Sequence, residues 1–179
     1  MMDHPDRISL LKTGISPQSR VWAELGSGHG AFTLALAELI NPYGIIYSVD
    51  KDSSALREQE QTMRERFPLL EMYYLAADFS KPLEMPMLDG ILMANALHFI
   101  QDKETFLSKI RDYLKAEGRL LIVEYNVEQG NRWVPHPMSF RLWEDLAARC
   151  GFTETRLLNT MPSRYHREIY GALCYKIKA

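Results

Sequence analysis

Short apolar runs alternate with longer amphipathic ones along most of the chain. Val21 to Leu25 is the first such run, and it ends in glycines. Ala31 to Ile40 is apolar nearly all round, which predicts a buried helix. Asn41-Pro42-Tyr43-Gly44 stops it, and a β-rich run from Ile45 to Val49 ends at Asp50. Ser53 or Ser54 stands where it can cap a helix through Phe67, with Leu56, Met63 and Phe67 inward. Leu70 to Ala77 predicts a third strand ending at Asp78, and Leu88 to Ala94 a fourth. Asp102 is placed to cap a helix carrying Phe106, Leu107, Ile110, Tyr113 and Leu114 on one face. Gly118 marks its stop, and Leu120 to Tyr125 predicts a fifth strand. Ser139 caps a helix through Cys150, with Gly151 just past its end. Thr153 to Leu158 and Glu168 to Ile177 follow as two late strands with no helix between them.

This alternation predicts an α/β domain with a mostly parallel sheet. The last two strands lack a crossover long enough for parallel neighbours, so the final strand is expected to be antiparallel. Residues 1–19 are a lead-in, with Ile8, Leu10 and Leu11 on a short helix broken by Gly14 to Pro17. The whole, 1–179, is expected to be one domain with its core in 20–179. Asn126 to Pro137 is a long loop rich in aromatic, Pro, Arg and His residues.

Composition narrows the class. The 179 residues carry a formal charge of −2, with 46% hydrophobic and 25% charged residues. Those proportions argue against disorder and against a generally basic nucleic-acid binder. The two cysteines, Cys150 and Cys174, form neither a disulfide framework nor a zinc-spaced cluster, so no metal site is expected. No apolar run approaches the roughly 20 residues needed to span a bilayer, and MMDHPDR does not look like a signal peptide. A cytoplasmic protein without membrane partners is the expectation.

The chemistry concentrates where predicted strands end. Glu24-Leu25-Gly26-Ser27-Gly28-His29-Gly30 runs from a strand through glycines into an apolar helix. Glycines there let the backbone turn sharply and approach a ligand closely. Asp50 ends the second strand, where a carboxylate can accept both hydroxyls of a ribose, and Asp78 ends the third. Gly26-x-Gly28-x-x-Ala31 formally fits a dinucleotide fingerprint, so an NAD(P)-binding oxidoreductase stands as an alternative. Glu24 argues against it, because a carboxylate just before the glycines suits a pyrophosphate poorly.

ELGSGHG, followed by YSVDKD, LAADF, LDGILMANALHFIQD and GRLLIVEY, resembles the class I S-adenosylmethionine-dependent methyltransferases over most of the chain. The resemblance implies a Rossmann-like, doubly wound seven-stranded sheet in order 3-2-1-4-5-7-6, with strand 7 antiparallel. It implies S-adenosyl-L-methionine as the cofactor. Glu24 would help hold its methionine end, and Gly26, Ser27, Gly28 and Gly30 would form the loop beneath. Asp50 would take the ribose hydroxyls with Lys51 beside the adenine. Asp78, Ala77 and Phe79 would contact the adenine, and Asn95 with Ala94 would line the floor near the methionine. Trp22-Ala23 departs from the small apolar pair usual before the acid, and His29 stands where Thr is frequent.

For the acceptor, His98 after the fourth strand is a candidate base, with a structural role as its alternative. Glu124, ending the fifth strand, is a second candidate base or a loop anchor. Arg132-Trp133-Val134-Pro135-His136-Pro137 is the expected acceptor loop, since aromatics with an arginine suit a planar or anionic molecule. Arg164-Tyr165-His166-Arg167 is expected to be an exposed turn. No loop typical of nucleic-acid methylation is present, so a small-molecule acceptor is expected. A homodimer is compatible with such a core, and a non-catalytic cofactor-binding module is a further alternative.

Overall fold

A computed structural model describes residues 2–40 and 42–178. Asn41, part of the expected helix stop, lies outside the described residues. Seven strands form one sheet in the order β3-β2-β1-β4-β5-β7-β6. They are β1 (Val21–Leu25), β2 (Ile45–Asp50), β3 (Glu71–Ala76), β4 (Leu88–Ala94), β5 (Leu114–Tyr125), β6 (Phe152–Pro162) and β7 (Glu168–Lys176). β7 runs antiparallel between β5 and β6, and the pairings among β1 to β5 are parallel. A dinucleotide fold ordinarily continues its sheet with a parallel sixth strand, so the antiparallel β7 speaks against the oxidoreductase alternative.

Both sheet faces are covered, as parallel strands require. Along β4, Ile91 and Met93 face one core while Leu92 and Ala94 face the other; along β5, Leu120 and Ile122 divide from Leu121 and Val123 in the same way. That is the two-residue period of a strand buried on both sides. One core packs α4 (Lys103–Arg111) and α5 (Phe140–Arg149) through Phe106, Leu107, Trp143 and Leu146. The other packs α1 (His4–Leu11), α2 (Ala31–Leu39) and α3 (Ser53–Arg66) through Leu10, Leu11, Phe32, Leu36 and Met63.

Trp22, unusual for its position, is fully buried and lies against Gly90 of β4, where a Cβ would run into the indole. A glycine on the neighbouring strand makes room for the ring.

Some boundaries differ from the sequence expectation, for local reasons. Asp52, not Ser53 or Ser54, caps α3, its carboxylate accepting the amides of Ser54 and Ala55. A carboxylate one residue earlier reaches both orphan N–H groups. Leu114 belongs to β5 rather than to α4. The helix closes as the Tyr113 amide donates to Ile110 O, and the Leu88 amide then donates to Tyr113 O, tying the chain into the sheet. β6 runs on to Pro162, past Leu158, because Asn159 to Pro162 keep register with Glu168 to Gly171 beyond a bulge. The caps Asp102 and Ser139 are as expected, and Gly151 has φ +81° beyond α5.

The lead-in is built into the fold. Asp3 and Asp6 form a reciprocal capping box at the start of α1. His4 Nε2 sits 2.7 Å from Glu38 of α2, and Asn159 Nδ2 donates to Ser9 Oγ at 2.7 Å.

Candidate active site

The carboxyl ends of β1 to β5 open on one edge of the sheet, where open α/β folds bind ligands. At the end of β1 the chain turns at Gly26, whose φ is +81°. A Cβ there would lie 2.7 Å from Ala96 Cβ, so glycine is required both by conformation and by the neighbour. The Gly26 and Ser27 amides donate to Val49 O, fixing the turn to the end of β2. Gly28 N–H donates to Asp50 Oδ2 at 2.7 Å, and Asp52 N–H to Asp50 Oδ1 at 2.9 Å. Asp50 thus already orders the glycine loop. Gly30 caps α2 without facing either cavity described below.

Two adjoining cavities share Gly26 and Asn95. The smaller, about 390 Å³, is lined by Asp50, Lys51, Ala77, Asp78, Phe79, Phe99 and others. Ser80 holds the Asp78 carboxyl below its usual range by hydrogen bonding from its side chain and its amide. The larger, about 650 Å³, is lined by Glu24, Ser27, Phe32, Asn95 and Tyr125. Its far wall comes from Arg7 of α1 and from Arg164 and Tyr165 of the β6–β7 turn.

Glu24 is the most perturbed group at this edge. It is 1% exposed, with Thr33 Oγ1 donating to its Oε2 at 2.5 Å. Burial pushes its pKa up to about 8, against the Thr33 hydrogen bond and with a small further push from Asp50. Among the described residues no basic side chain pairs with it. Asn95, at φ +52°, carries a buried Oδ1 with no hydrogen-bond partner. A buried acceptor of that kind costs free energy until something donates to it.

The sequence-predicted residues Glu24, Gly26, Ser27, Asp50, Lys51, Ala77, Asp78, Phe79 and Asn95 are brought together on the cavity walls. Gly28 and Gly30 shape the turn without lining either space.

His98 and Glu124 meet each other and face neither cavity. His98 Nδ1 sits 2.7 Å from Glu124 Oε2, and the His98 amide donates to Glu124 Oε1 at 3.1 Å. Both are buried, at 3% and 0% exposure. His98 O accepts the His136 amide, and the Lys103 ammonium donates to Ile100 O and His136 O, each at 2.7 Å. Burial lowers the Lys103 pKa. This network pins the 126–137 loop to the sheet.

That loop is not the cavity wall. Trp133 is 75% exposed, with the Arg132 guanidinium 5.6 Å from its ring centroid, and neither residue lines the larger space. Arg164 and Tyr165 are exposed, as expected of that turn, with Tyr165 at 82%, and they line the larger space as well. Hairpin geometry decides this. β6 and β7 carry their turn back over the ends of β1 and β4, a placement that local sequence does not reveal.

A family model described as a methyltransferase domain matches residues 23–120, more than half of the chain. The chain belongs to this methyltransferase family. It is of the class I, S-adenosylmethionine-dependent type, which excludes the oxidoreductase alternative. Among curated relatives, a ubiquinone/menaquinone biosynthesis C-methyltransferase of Wigglesworthia glossinidia brevipalpis is 29% identical over 104 residues. That match covers 58% of this chain and 42% of the relative, so this chain matches less than half of the relative's length. The YcgJ protein of Bacillus subtilis has the same fold, with TM-score 0.75 at 12% identity, covering 98% of this chain and all of that one. Phosphoethanolamine N-methyltransferase 2 of Haemonchus contortus, solved with S-adenosyl-L-methionine, gives TM-score 0.75 at 14% identity over 97% of this chain and 53% of that chain.

Proposed function

We propose that this domain transfers a methyl group from S-adenosylmethionine to a small-molecule acceptor. The observation that carries the reading is Glu24, a buried carboxyl group with no cationic partner among the described residues, opening on the space beneath the glycine turn. It suits the ammonium of a methionine tail and disfavours a pyrophosphate. Asn95 Oδ1 offers the same cationic end an acceptor. Asp50 and Lys51 would hold the ribose side and Ala77, Asp78 and Phe79 the adenine side of the smaller cavity, with the sulfur near Gly26 and Asn95, where the two cavities join. When bound, the cofactor supplies an activated methyl whose C–S bond breaks, the electron pair going to sulfur as the acceptor's lone pair takes the carbon. The protein's tasks are to orient the two partners and to exclude water.

His98 and Glu124 act as positioning residues in this reading, because neither lines the space where the acceptor would sit. The two free, buried cysteines support a reducing compartment such as the cytoplasm. Among the described residues no helix is long and apolar enough to cross a membrane.

Calorimetry with S-adenosylhomocysteine and NAD, side by side, tests the cofactor. Binding of S-adenosylhomocysteine alone is expected; binding of NAD alone overturns the proposal.

A further inference from the structure

Most arginines in this domain are spoken for. Arg64, Arg111, Arg141 and Arg149 sit within ion-pair distance of carboxylates. Arg20 and Arg119 donate to backbone carbonyls. Arg164 differs: among the described residues it makes no ion pair and no hydrogen bond through its side chain, yet it lines the larger cavity. Arg7 faces the same space from α1. Its guanidinium donates to Met2 O at 2.8 Å and lies 5.9 Å from the centroid of the Phe32 ring, and both of those residues line the cavity. A guanidinium has five N–H donors, so Arg7 keeps most of its own.

Two acids line the same cavity. Asp6 keeps its charge but directs its Oδ2 to the Asp3 amide in the capping box, so it leaves Arg164 without a carboxylate partner. Glu24 lies on the cofactor side, where the methionine ammonium would neutralise it. Phe32, Tyr125, Tyr165 and Ile169 give the space an apolar and aromatic lining, with Ser163 as a neutral polar group beside Arg164. Among the described residues no histidine or lysine lines it.

We infer that the methyl acceptor is a small anion with a flat or apolar body, its anionic group (a carboxylate or phosphate) seated against Arg164, with Arg7 adding to the positive field. The inference rests on the methyl-transfer reading and deepens it. An anion is drawn to the site by the same charges that a cationic acceptor would be refused by, and because the group seated on Arg164 is not the atom methylated, the product keeps its charge.

The test is methyl transfer from labelled S-adenosylmethionine into a metabolite extract, with the products passed over an anion exchanger near neutral pH. The labelled product is expected to be retained. Arg164→Ala is expected to lower transfer at limiting extract about ten- to a hundredfold, the worth of a charge-assisted hydrogen bond. Arg164→Lys should recover part of it, with S-adenosylhomocysteine affinity unchanged within about twofold for both variants. Arg164 is exposed, so its melting temperature is a fair check on folding. A labelled product that flows through uncharged, or Arg164→Ala turning over like the unaltered protein, overturns the inference. So does a protein that binds S-adenosylhomocysteine and labels nothing anionic. Failure to bind S-adenosylhomocysteine at all overturns the methyl-transfer reading instead.

Discussion

The two cavities on the active edge were assembled in different ways. The smaller one is made almost entirely from loops that directly follow β1 to β4, so each wall residue stands within a few positions of a strand end. The larger one borrows its far wall from α1 and the β6–β7 turn, elements held together by contacts such as Ser9 to Asn159, 150 residues apart. The first kind of site is local and therefore written in motifs. The second depends on how a hairpin and an N-terminal helix come back over the sheet, and no local pattern encodes it.

The comparison is tested most severely at the residue that organises the local cavity. Asp50 orders the Gly28 and Asp52 amides as well as facing the cavity. Asp50→Ala is expected to weaken S-adenosylhomocysteine binding by a hundredfold or more, the loss of several charge-assisted hydrogen bonds together. The fold should persist, because Asp50 is at a loop edge. Affinity unchanged in calorimetry would remove Asp50 from the site.

Glu24 sits between the two regions and carries a pH signature. Its folded pKa of about 8 lies above the ordinary 4.5, so the folded protein binds a proton that the unfolded chain has released. Stability from this group is complete below about pH 4.5 and declines as pH rises toward 8. By pH 7 the loss is about 3 kcal/mol. Glu24→Gln should therefore raise the melting temperature near pH 8 while weakening cofactor binding. The ligand's ammonium favours the ionised form, so affinity should climb by up to about tenfold per pH unit below 8 and then flatten. Titrations across pH 6 to 9 check both signs, and a Glu24→Gln variant with the same pH slope contradicts the assignment.

His98 separates a base from a brace. Removing it leaves Glu124 buried with its main partner gone, which typically costs about 3–5 kcal/mol. His98→Ala is thus expected to lower the melting temperature and to weaken cofactor affinity and turnover together, since the segment after β4 that His98 ties to Glu124 carries Asn95, Ala96 and Phe99 of the smaller cavity. Lost turnover with intact stability and affinity would instead restore the base role.

How far the sequence reaches follows from the same distinction. Val21 to Leu25, Asp50, Asp78 and Asn95 were legible because strand period, strand end and ligand chemistry coincide at them. The start of β5 was not, since Leu114 fits the helical face of α4 equally well and is buried in either assignment. Ser53 and Ser54 drew attention as caps because Asp52 was absorbed into the preceding motif. The far wall of the larger cavity is not legible in the sequence because Arg132-Trp133 and Arg164-Tyr165 have nearly the same composition. Both pairs are exposed, and only the pairing of β6 with β7 decides which of them borders the larger cavity.

The smallest expected effect sharpens that last point. Trp133 is the kind of residue that a sequence reading assigns to a binding site, a tryptophan beside an arginine in a long loop. Its ring is 75% exposed, and Val134 next to it, 2% exposed, supplies the loop's apolar anchor. The Trp133 and Val134 amides bond to Asn131 Oδ1, so the loop's shape does not depend on the indole. Trp133→Ala should change stability by no more than about 0.5 kcal/mol, as exposed substitutions usually do. Methyl transfer at limiting acceptor should stay within about twofold of the unaltered protein, where Arg164→Ala loses tenfold or more. Equal losses at the two positions would mean that the 126–137 loop closes over the acceptor, and that the far wall of the larger cavity extends to both clusters.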